Sequence, residues 1–319
     1  NITVHVVGDM IVDTYTNTSL IGGHTKTPTP SVLYQEKKDY IGGAGIVAKH
    51  LSGAGAKVTL TTVLGNDDLK NFVSKELKKQ NIKLNSIIDS TRPTTNKNTI
   101  ISNGYKMIKI DKLENQPISE KISNKIKSLI SKENCNLVIF SDFRHGIFNK
   151  TSTKTFISAI KKGVIRAADS QVATRWGNIT DFKNFDLITP NEKEARFSLA
   201  DQDSSISELT RELSKLSGFK NLILKLGERG TVTVSKQNNS LSFATPSFTK
   251  NVVDAIGAGD ALLAYASLCF TSNKSIVSSN ILGSIAAACE CEMEGNIAVK
   301  RSMIIDKIND LEKSSKFNI

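Results

Sequence analysis

Tryptophan occurs once, at Trp176, and all aromatic residues together make up 6% of the 319 residues. A chain so poor in flat rings has no stacking platform of the kind single-stranded nucleic acid needs. Long apolar runs are missing too, since none approaches the roughly 20 residues a helix needs to cross a bilayer. No membrane partner is expected. Cysteine is scarce: Cys135, Cys269, Cys289 and Cys291 show no metal-ligand spacing, because the close pair Cys289 and Cys291 has neither a second pair nor clustered histidines to complete a set. Reduced, structural thiols are the expectation, which suits a cytoplasmic location. Acidic residues are in deficit, 31 against 42 Lys and Arg, leaving a formal charge of +11. That charge alone invites a nucleic-acid reading. The lysines argue against it. In SEKISNKIKSLISKEN, Ile122, Ile126 and Leu129 mark one apolar helix face, and Lys121, Lys125 and Lys132 lie away from it on a solvated one. A positive field still suits recruitment of a phosphorylated substrate. No signal peptide is visible, and the chain opens at Asn1 already inside the strand-like NITVHVVGD, which reads as a terminus trimmed or cut from a longer polypeptide.

What is present is a succession of short apolar runs bounded by turn residues: HVVGDM, KVTLTTVLG, CNLVIFSD, VIRAADS, FDLITPN and NLILKLGERG. Their hydrophobicity is continuous rather than alternating, and stretches of helical periodicity separate them, so both faces of the sheet they form should be covered. The expected fold is α/β, a three-layer sandwich around a mostly parallel sheet, with residues 1–319 as one domain. Two segments break the rhythm. From Thr14 to Tyr40 the chain is rich in Thr, Ser, Gly and Pro, with TPTPSVLYQ as a short extended element, and from Asn96 to Asp111 it alternates as a half-exposed strand does. Together these segments predict a small antiparallel sheet serving as a lid or a dimer contact.

One stretch carries chemistry. In NVVDAIGAGDALLAY, from Asn251 to Tyr265, Gly257 and Gly259 permit backbone angles and close approach that other residues resist, and Asp260 opens an apolar helical run. The amides of Gly257, Ala258 and Gly259 are expected to point out of a helix N-terminus, an arrangement that favours a phosphate or a developing negative charge. A carboxylate at Asp260 is out of place as an anion ligand and well placed as a general base beside one. Asp13, at the end of the first strand, lies where open α/β sheets present ligand-binding side chains. Asp142 and His145, at the end of VIFSDFRHG, are expected at the rim of the same cleft, and Lys109 in the lid segment could reach a substrate phosphate. His5, His24 and His50 lack partner spacing and read as core or loop histidines.

Four motifs in order then resemble the ribokinase-like (PfkB) family of carbohydrate kinases over nearly the whole chain. DAIGAGD is similar to the family's C-terminal signature, which implies that Asp260 is the catalytic base and that its glycines form the anion hole. GGAGIVAKHLSGAGAKVTLTTVLGNDD, from Gly42 to Asp68, is similar to the N-terminal signature, whose diglycine turn, here Gly42 and Gly43, contacts substrate. TPNEKEA resembles the Asn-x-x-Glu element, implying that Asn191 and Glu194 help hold magnesium, through water, and the nucleotide phosphates. KLGERG resembles the turn lining the ATP site and brings in Lys225, Gly227 and Gly230. Within the family, GDMIVDTY, TPTPSV and SDFRHG most resemble the heptose 7-phosphate kinases of ADP-heptose synthesis, which assigns Asp13 to substrate. The resemblance further implies ATP, a homodimer formed through the lid, and room for a monovalent cation near Asp254.

Departures bear on the substrate. Ile46 stands where the family usually has a sugar-binding Asn; Lys26 lies near an expected acidic residue, His145 replaces a lysine, and Ile256 replaces a threonine. A site built to pair hydroxyls depends on such partners. Besides a kinase, the sequence therefore also fits a noncatalytic nucleotide- or sugar-binding module of the same fold.

Overall fold

Residues 2–23, 29–172, 176–236 and 241–314 are described by the structure, a computed structural model. Strands in chain order are β1 (Thr3–Gly8), β2 (Met10–Gly23), β3 (Pro30–Gly43), β4 (Lys57–Leu64), β5 (Lys83–Ile88), β6 (Asn96–Ser102), β7 (Tyr105–Lys112), β8 (Leu137–Asp142), β9 (Ile165–Ser170), β10 (Leu187–Ile188), β11 (Asn221–Lys225), β12 (Thr231–Ser235) and β13 (Leu241–Thr245). Helices are α1 (Ala44–Gly53), α2 (Asp68–Lys79), α3 (Glu120–Lys132), α4 (Lys150–Ala159), α5 (Glu192–Leu199), α6 (Ile206–Ser217), α7 (Ala258–Asn273), α8 (Ile276–Cys291) and α9 (Arg301–Ser314).

Every apolar run noted above enters one nine-stranded sheet, ordered β13-β12-β11-β10-β9-β8-β1-β4-β5. Pairings from β5 through β11 are parallel, and only β12 and β13 run antiparallel at one edge. Continuous hydrophobicity is explained by cover on both faces. On one, Val6, Leu60 and Ile139 pack with α1, α7 and α8 residues such as Val47, Leu263 and Ile285. On the other, Phe140, Phe148, Phe156, Phe182 and Phe185 stack edge to face or tilted, with ring centroids 5.2 to 6.4 Å apart. Truncating Phe140, at 0% exposure, would cost about 3–5 kcal/mol. Helices begin where the sequence can cap them: Asp67 of the GNDD turn accepts from Lys70 N–H at the start of α2 and from Thr94 N–H at 2.8 Å, so this part of the N-terminal signature ties α2 to the lid connection.

The lid is a separate sheet ordered β3-β2-β6-β7. It differs from the antiparallel sheet expected: β2–β3 and β6–β7 are antiparallel, but β2 and β6 pair in parallel. The reason is connectivity. Neighbours joined by only a few residues reverse, whereas β2 and β6 are joined by a path through the main sheet and can run the same way. β2 and β3 are also longer than the short extended element expected, at 14 residues each, and their bases at Met10–Asp13 and Ile41–Gly43 reach the C-terminal ends of the central strands. No helix among the described residues is long and apolar enough to cross a membrane.

Candidate active site

α7 starts in the GAG sequence because Gly257 takes φ 88°, a left-handed angle that turns the chain into the helix. Its carbonyl accepts from the N–H groups of Asp260 and Ala261 at 2.9 and 3.0 Å. Among the described residues, the N–H groups of Gly257 and Gly259 find no acceptor and remain available to an anion. Ala258 departs from the expected trio: its N–H turns back to the Ala255 carbonyl at 3.4 Å, a long bond that closes the turn. Asp260 is 7% exposed in the first turn of α7. Burial holds its carboxyl well above the ordinary range, the nearby Asp169 charge adds to this, and Lys225 opposes it.

Lys225, at the end of β11, projects into the centre of this group. Its Nζ donates to Asp169 Oδ2 at 2.7 Å and lies 3.0 Å from where a Cβ on Gly259 would sit, so glycine there leaves the ammonium room beside the helix start. Burial lowers the proton affinity of Lys225, but Asp169, Glu194 and Asp260 outweigh it and keep the side chain charged. Asp169 ends β9 within the run VIRAADS and was not distinguished from a strand residue by sequence reasoning. An acidic residue closing an apolar strand was the available signal. Asn191 and Glu194 form a reciprocal cap on α5: Asn191 Oδ1 accepts from Glu194 N–H at 2.8 Å and Glu194 Oε2 accepts from Asn191 N–H at 2.7 Å. Glu194 Oε1 is left over. Burial and then Asp169 push the Glu194 carboxyl up to about 7. No group of three or more His, Cys, Asp or Glu among the described residues is arranged to hold a metal directly.

Asp13 lies not at the end of the first strand, as expected, but within the lid strand β2, because the chain breaks at Asp9 and re-enters extended structure at Met10; it pairs in register with Tyr40 and Lys97. Its Oδ2 accepts from Asn296 Nδ2 at 2.6 Å, and a Cβ on Gly42 would lie 2.1 Å from that same oxygen. Gly42 therefore makes room for the Asp13–Asn296 contact. Burial raises the Asp13 carboxyl, while Lys97 and Lys109 lower it, and its charge is felt at Asp260. His145 is 6% exposed with neither ring nitrogen partnered, and burial, then Lys97, push it down to about 4, so the ring is neutral at pH 7. Asp13, Lys97, Lys109, His145 and Asn296 thus make one group of polar side chains, and Lys225, Asp169 and Glu194 with the start of α7 make another. Asp260 stands between them.

Comparison with known proteins decides the family. The model for the pfkB family carbohydrate kinases matches residues 1–302. This chain belongs to that family. The kinase is 25% identical to the bifunctional protein HldE of Desulfatibacillum aliphaticivorans over 96% of its own length, and spans 63% of that relative. Two solved structures share the ribokinase-like fold of the kinase. Escherichia coli phosphofructokinase-2 in complex with potassium has TM-score 0.80 at 14% identity, covering 98% and 100% of the two chains. Thermotoga maritima ribokinase has TM-score 0.75 at 20% identity, covering 97% and 100%.

Other residues singled out in the sequence have different places in the kinase. Asp142 accepts from Arg144 N–H and Nη1 and from Ser170 Oγ at 2.8 to 2.9 Å and so shapes the loop after β8. Asp9 shares that work, accepting from the N–H groups of Phe143, His145 and Ile147. Gly43, at φ 58°, turns β3 into α1, where a Cβ would meet the Asp9 carbonyl at 2.4 Å. Gly227 opens the turn after β11 at φ 63°, and Gly230 closes it at φ 84°, where a Cβ would meet the Thr245 carbonyl at 2.1 Å. Asp254, the expected cation neighbour, accepts from Tyr15 Oη at 3.1 Å and lies 3.5 Å from Lys106 Nζ. Ile46 is fully buried at the start of α1, Ile256 is 40% exposed, and Lys26 and His24 lie outside the described residues. His5 and His50 are core residues, bonded to Thr61 Oγ1 and Val299 N–H. Asn296 and Lys97 were missed because each sits in a stretch with no motif of its own.

Proposed function

We propose that the kinase transfers the terminal phosphoryl group of ATP to a hydroxyl of a sugar phosphate of the heptose 7-phosphate type. The observation that carries this reading is the acceptor side itself: a buried carboxylate, Asp13, flanked by Lys97 and Lys109, with Lys97 acting also on the unpartnered His145. A carboxylate suits sugar hydroxyls and two ammonium groups suit a phosphate already on the acceptor. Asp260 accepts the proton from the attacking hydroxyl, and its raised proton affinity makes it a stronger base than an exposed aspartate. As the phosphoryl group moves, Lys225 Nζ and the free amides of Gly257 and Gly259 face its oxygens and stabilise the charge that spreads over them. Magnesium fits the donor set indirectly, since Glu194 Oε1 is an uncommitted hard oxygen beside Asp169; when bound it would neutralise nucleotide phosphate charge, with Glu194 and Asn191 holding its waters. We assign the lid to a homodimer contact, because β7 is exposed along its whole length and carries Tyr105, Met107, Ile108 and Ile110.

The test is turnover of ATP with magnesium against heptose 7-phosphate, fructose 6-phosphate, ribose and no acceptor, with and without potassium, for wild type and Asp260→Asn. Turnover that requires a phosphorylated acceptor and is lost in the variant supports the proposal. Preference for ribose over both phosphates would refute the role of Lys97 and Lys109, and ATP binding with no turnover on any acceptor would favour the noncatalytic module.

A further inference from the structure

Glu290 lies in the last turn of α8, is 0% exposed, and has no hydrogen-bond partner on either carboxyl oxygen. Buried polar groups are nearly always paired, and a buried carboxyl is among the costliest to leave alone. Asn296 is 4% exposed and has one unpartnered atom, Oδ1. The two gaps coincide. A Cβ placed on Gly257 would lie 2.7 Å from Asn296 Oδ1 and 2.9 Å from Glu290 Oε1, so both oxygens reach the same point behind the anion hole.

The orientation of Asn296 is set from its other end, where Nδ2 donates to Asp13. Its Oδ1 must therefore accept, and an ionised Glu290 has nothing to donate. The adjacent Ile297 N–H, bonded to the Gly295 carbonyl at 2.9 Å, lies near enough to lower the Glu290 carboxyl but meets neither of its oxygens with hydrogen-bond geometry. A single proton on Glu290 pairs one of its oxygens with Asn296 Oδ1. Its surroundings favour that proton: burial first, then Asp260 on α7, with Asp254 in the turn before α7 adding and the Ile297 N–H dipole and Lys49 on α1 opposing, push the Glu290 carboxyl up to about 8. Its helix neighbours Cys289 and Cys291 have thiols raised by burial and remain neutral.

We propose that Glu290 is a positioning residue of the acceptor site: as a carboxylic acid it donates to Asn296 Oδ1 and thereby locks Asn296 Nδ2 onto Asp13. The acceptor-binding carboxylate is then held by a relay running from α8 through Asn296. Ionisation of Glu290 removes the donor and supplies a competing acceptor, so the Asn296 amide turns its Nδ2 from Asp13 to Glu290. It also sets a negative charge behind the amides of Gly257 and Gly259. Acceptor binding therefore weakens on the alkaline side while nucleotide binding holds.

That kinetic consequence rests on Asp13 binding the acceptor, so the first test avoids turnover. Infrared spectra of wild type and Glu290→Gln are titrated from acid to alkaline pH. A protonated-carboxyl stretch present in wild type at neutral pH and missing from the variant supports the proposal. No such difference, or a band abolished by potassium at neutral pH, overturns it and assigns the gap to an ion. The second test uses whichever acceptor the panel identifies. Gln keeps a donor, so its KM should stay within about twofold of wild type and lose its alkaline rise, while Glu290→Ala should raise acceptor KM about tenfold with ATP KM unchanged. Equal damage from Gln and Ala would overturn the proposal even if the infrared band is present.

Discussion

Replacing Asp169 with Asn separates the electrostatics of the site from its shape. The amide fills the same space at the end of β9 but removes the charge that pairs Lys225 Nζ at 2.7 Å, in a contact whose side chains are only 15% and 6% exposed. Breaking one half of a buried pair costs about 3–5 kcal/mol, because the other charge stays buried without its partner. Two terms offset this loss. The introduced amide would still accept a hydrogen bond, and the repulsion that Asp169 exerts on Asp260 and Glu194 disappears. A net destabilisation of roughly 2–3 kcal/mol follows, which for a domain of this size lowers Tm by roughly 3–5 °C.

The kinetic signature of the same variant runs the other way in pH. Asp169 is the second cause of the raised Asp260 carboxyl, after burial, so its removal makes Asp260 easier to ionise. The acid limb of kcat/KM should move to lower pH even as kcat falls, by about a hundredfold if Lys225 no longer holds its place beside Gly259. Thermal melts and pH–rate profiles on wild type and Asp169→Asn measure both effects. An acid limb that stays put or moves up, with Tm unchanged, would refute the reading of Asp169, Lys225 and Asp260 as one coupled group.

Stability should fall as pH rises through neutrality. Glu194, Asp9 and Glu290 have folded-state pKa values near 7, 7 and 8, above their ordinary ones, so the folded chain holds protons the unfolded chain has released, and the penalty is complete only above those values. His5, His50 and His145, held down to about 4, about 3 and about 4, act oppositely below about pH 6.5, so three groups nearly balance three near pH 5 and Tm should decline from there to about pH 8.5; a Tm that rises from about pH 6.5 to 8.5 contradicts this. Gly42→Ala should raise acceptor KM more than about tenfold and spare ATP KM, because the added methyl meets Asp13 Oδ2 where Asn296 pins it, and equal effects on both substrates would place Gly42 elsewhere. Ile108→Lys, a charge on the exposed β7 strand, should convert the proposed dimer to monomer in sedimentation velocity, and identical profiles for both proteins would remove the lid from the interface.

The part of this site that can be read from the sequence is the part made by backbone. Gly257, Gly259 and Asp260 lie together in the chain, and the left-handed turn into α7 needs glycine at Gly257 for a local steric reason, so spacing alone exposes it. The capping box of Asn191 and Glu194 is legible for the same cause: its two hydrogen bonds close within four consecutive residues. Central strands declare themselves by cover on both faces. Asp169, Lys97, Asn296 and Glu290 acquire meaning only when the sheet order sets β9 beside β10, β6 beside β2, and the end of α8 against Gly257. The lid shows the same limit, since two local hairpins were readable as extended segments whereas the parallel β2–β6 pairing depends on a connection that passes through the other sheet. Asp142 shows what local folding adds. A carboxylate at a strand end has the address of a ligand residue, and because Arg144 takes φ 62° and folds its guanidinium back onto it, the chain two residues away occupies part of its hydrogen-bonding capacity.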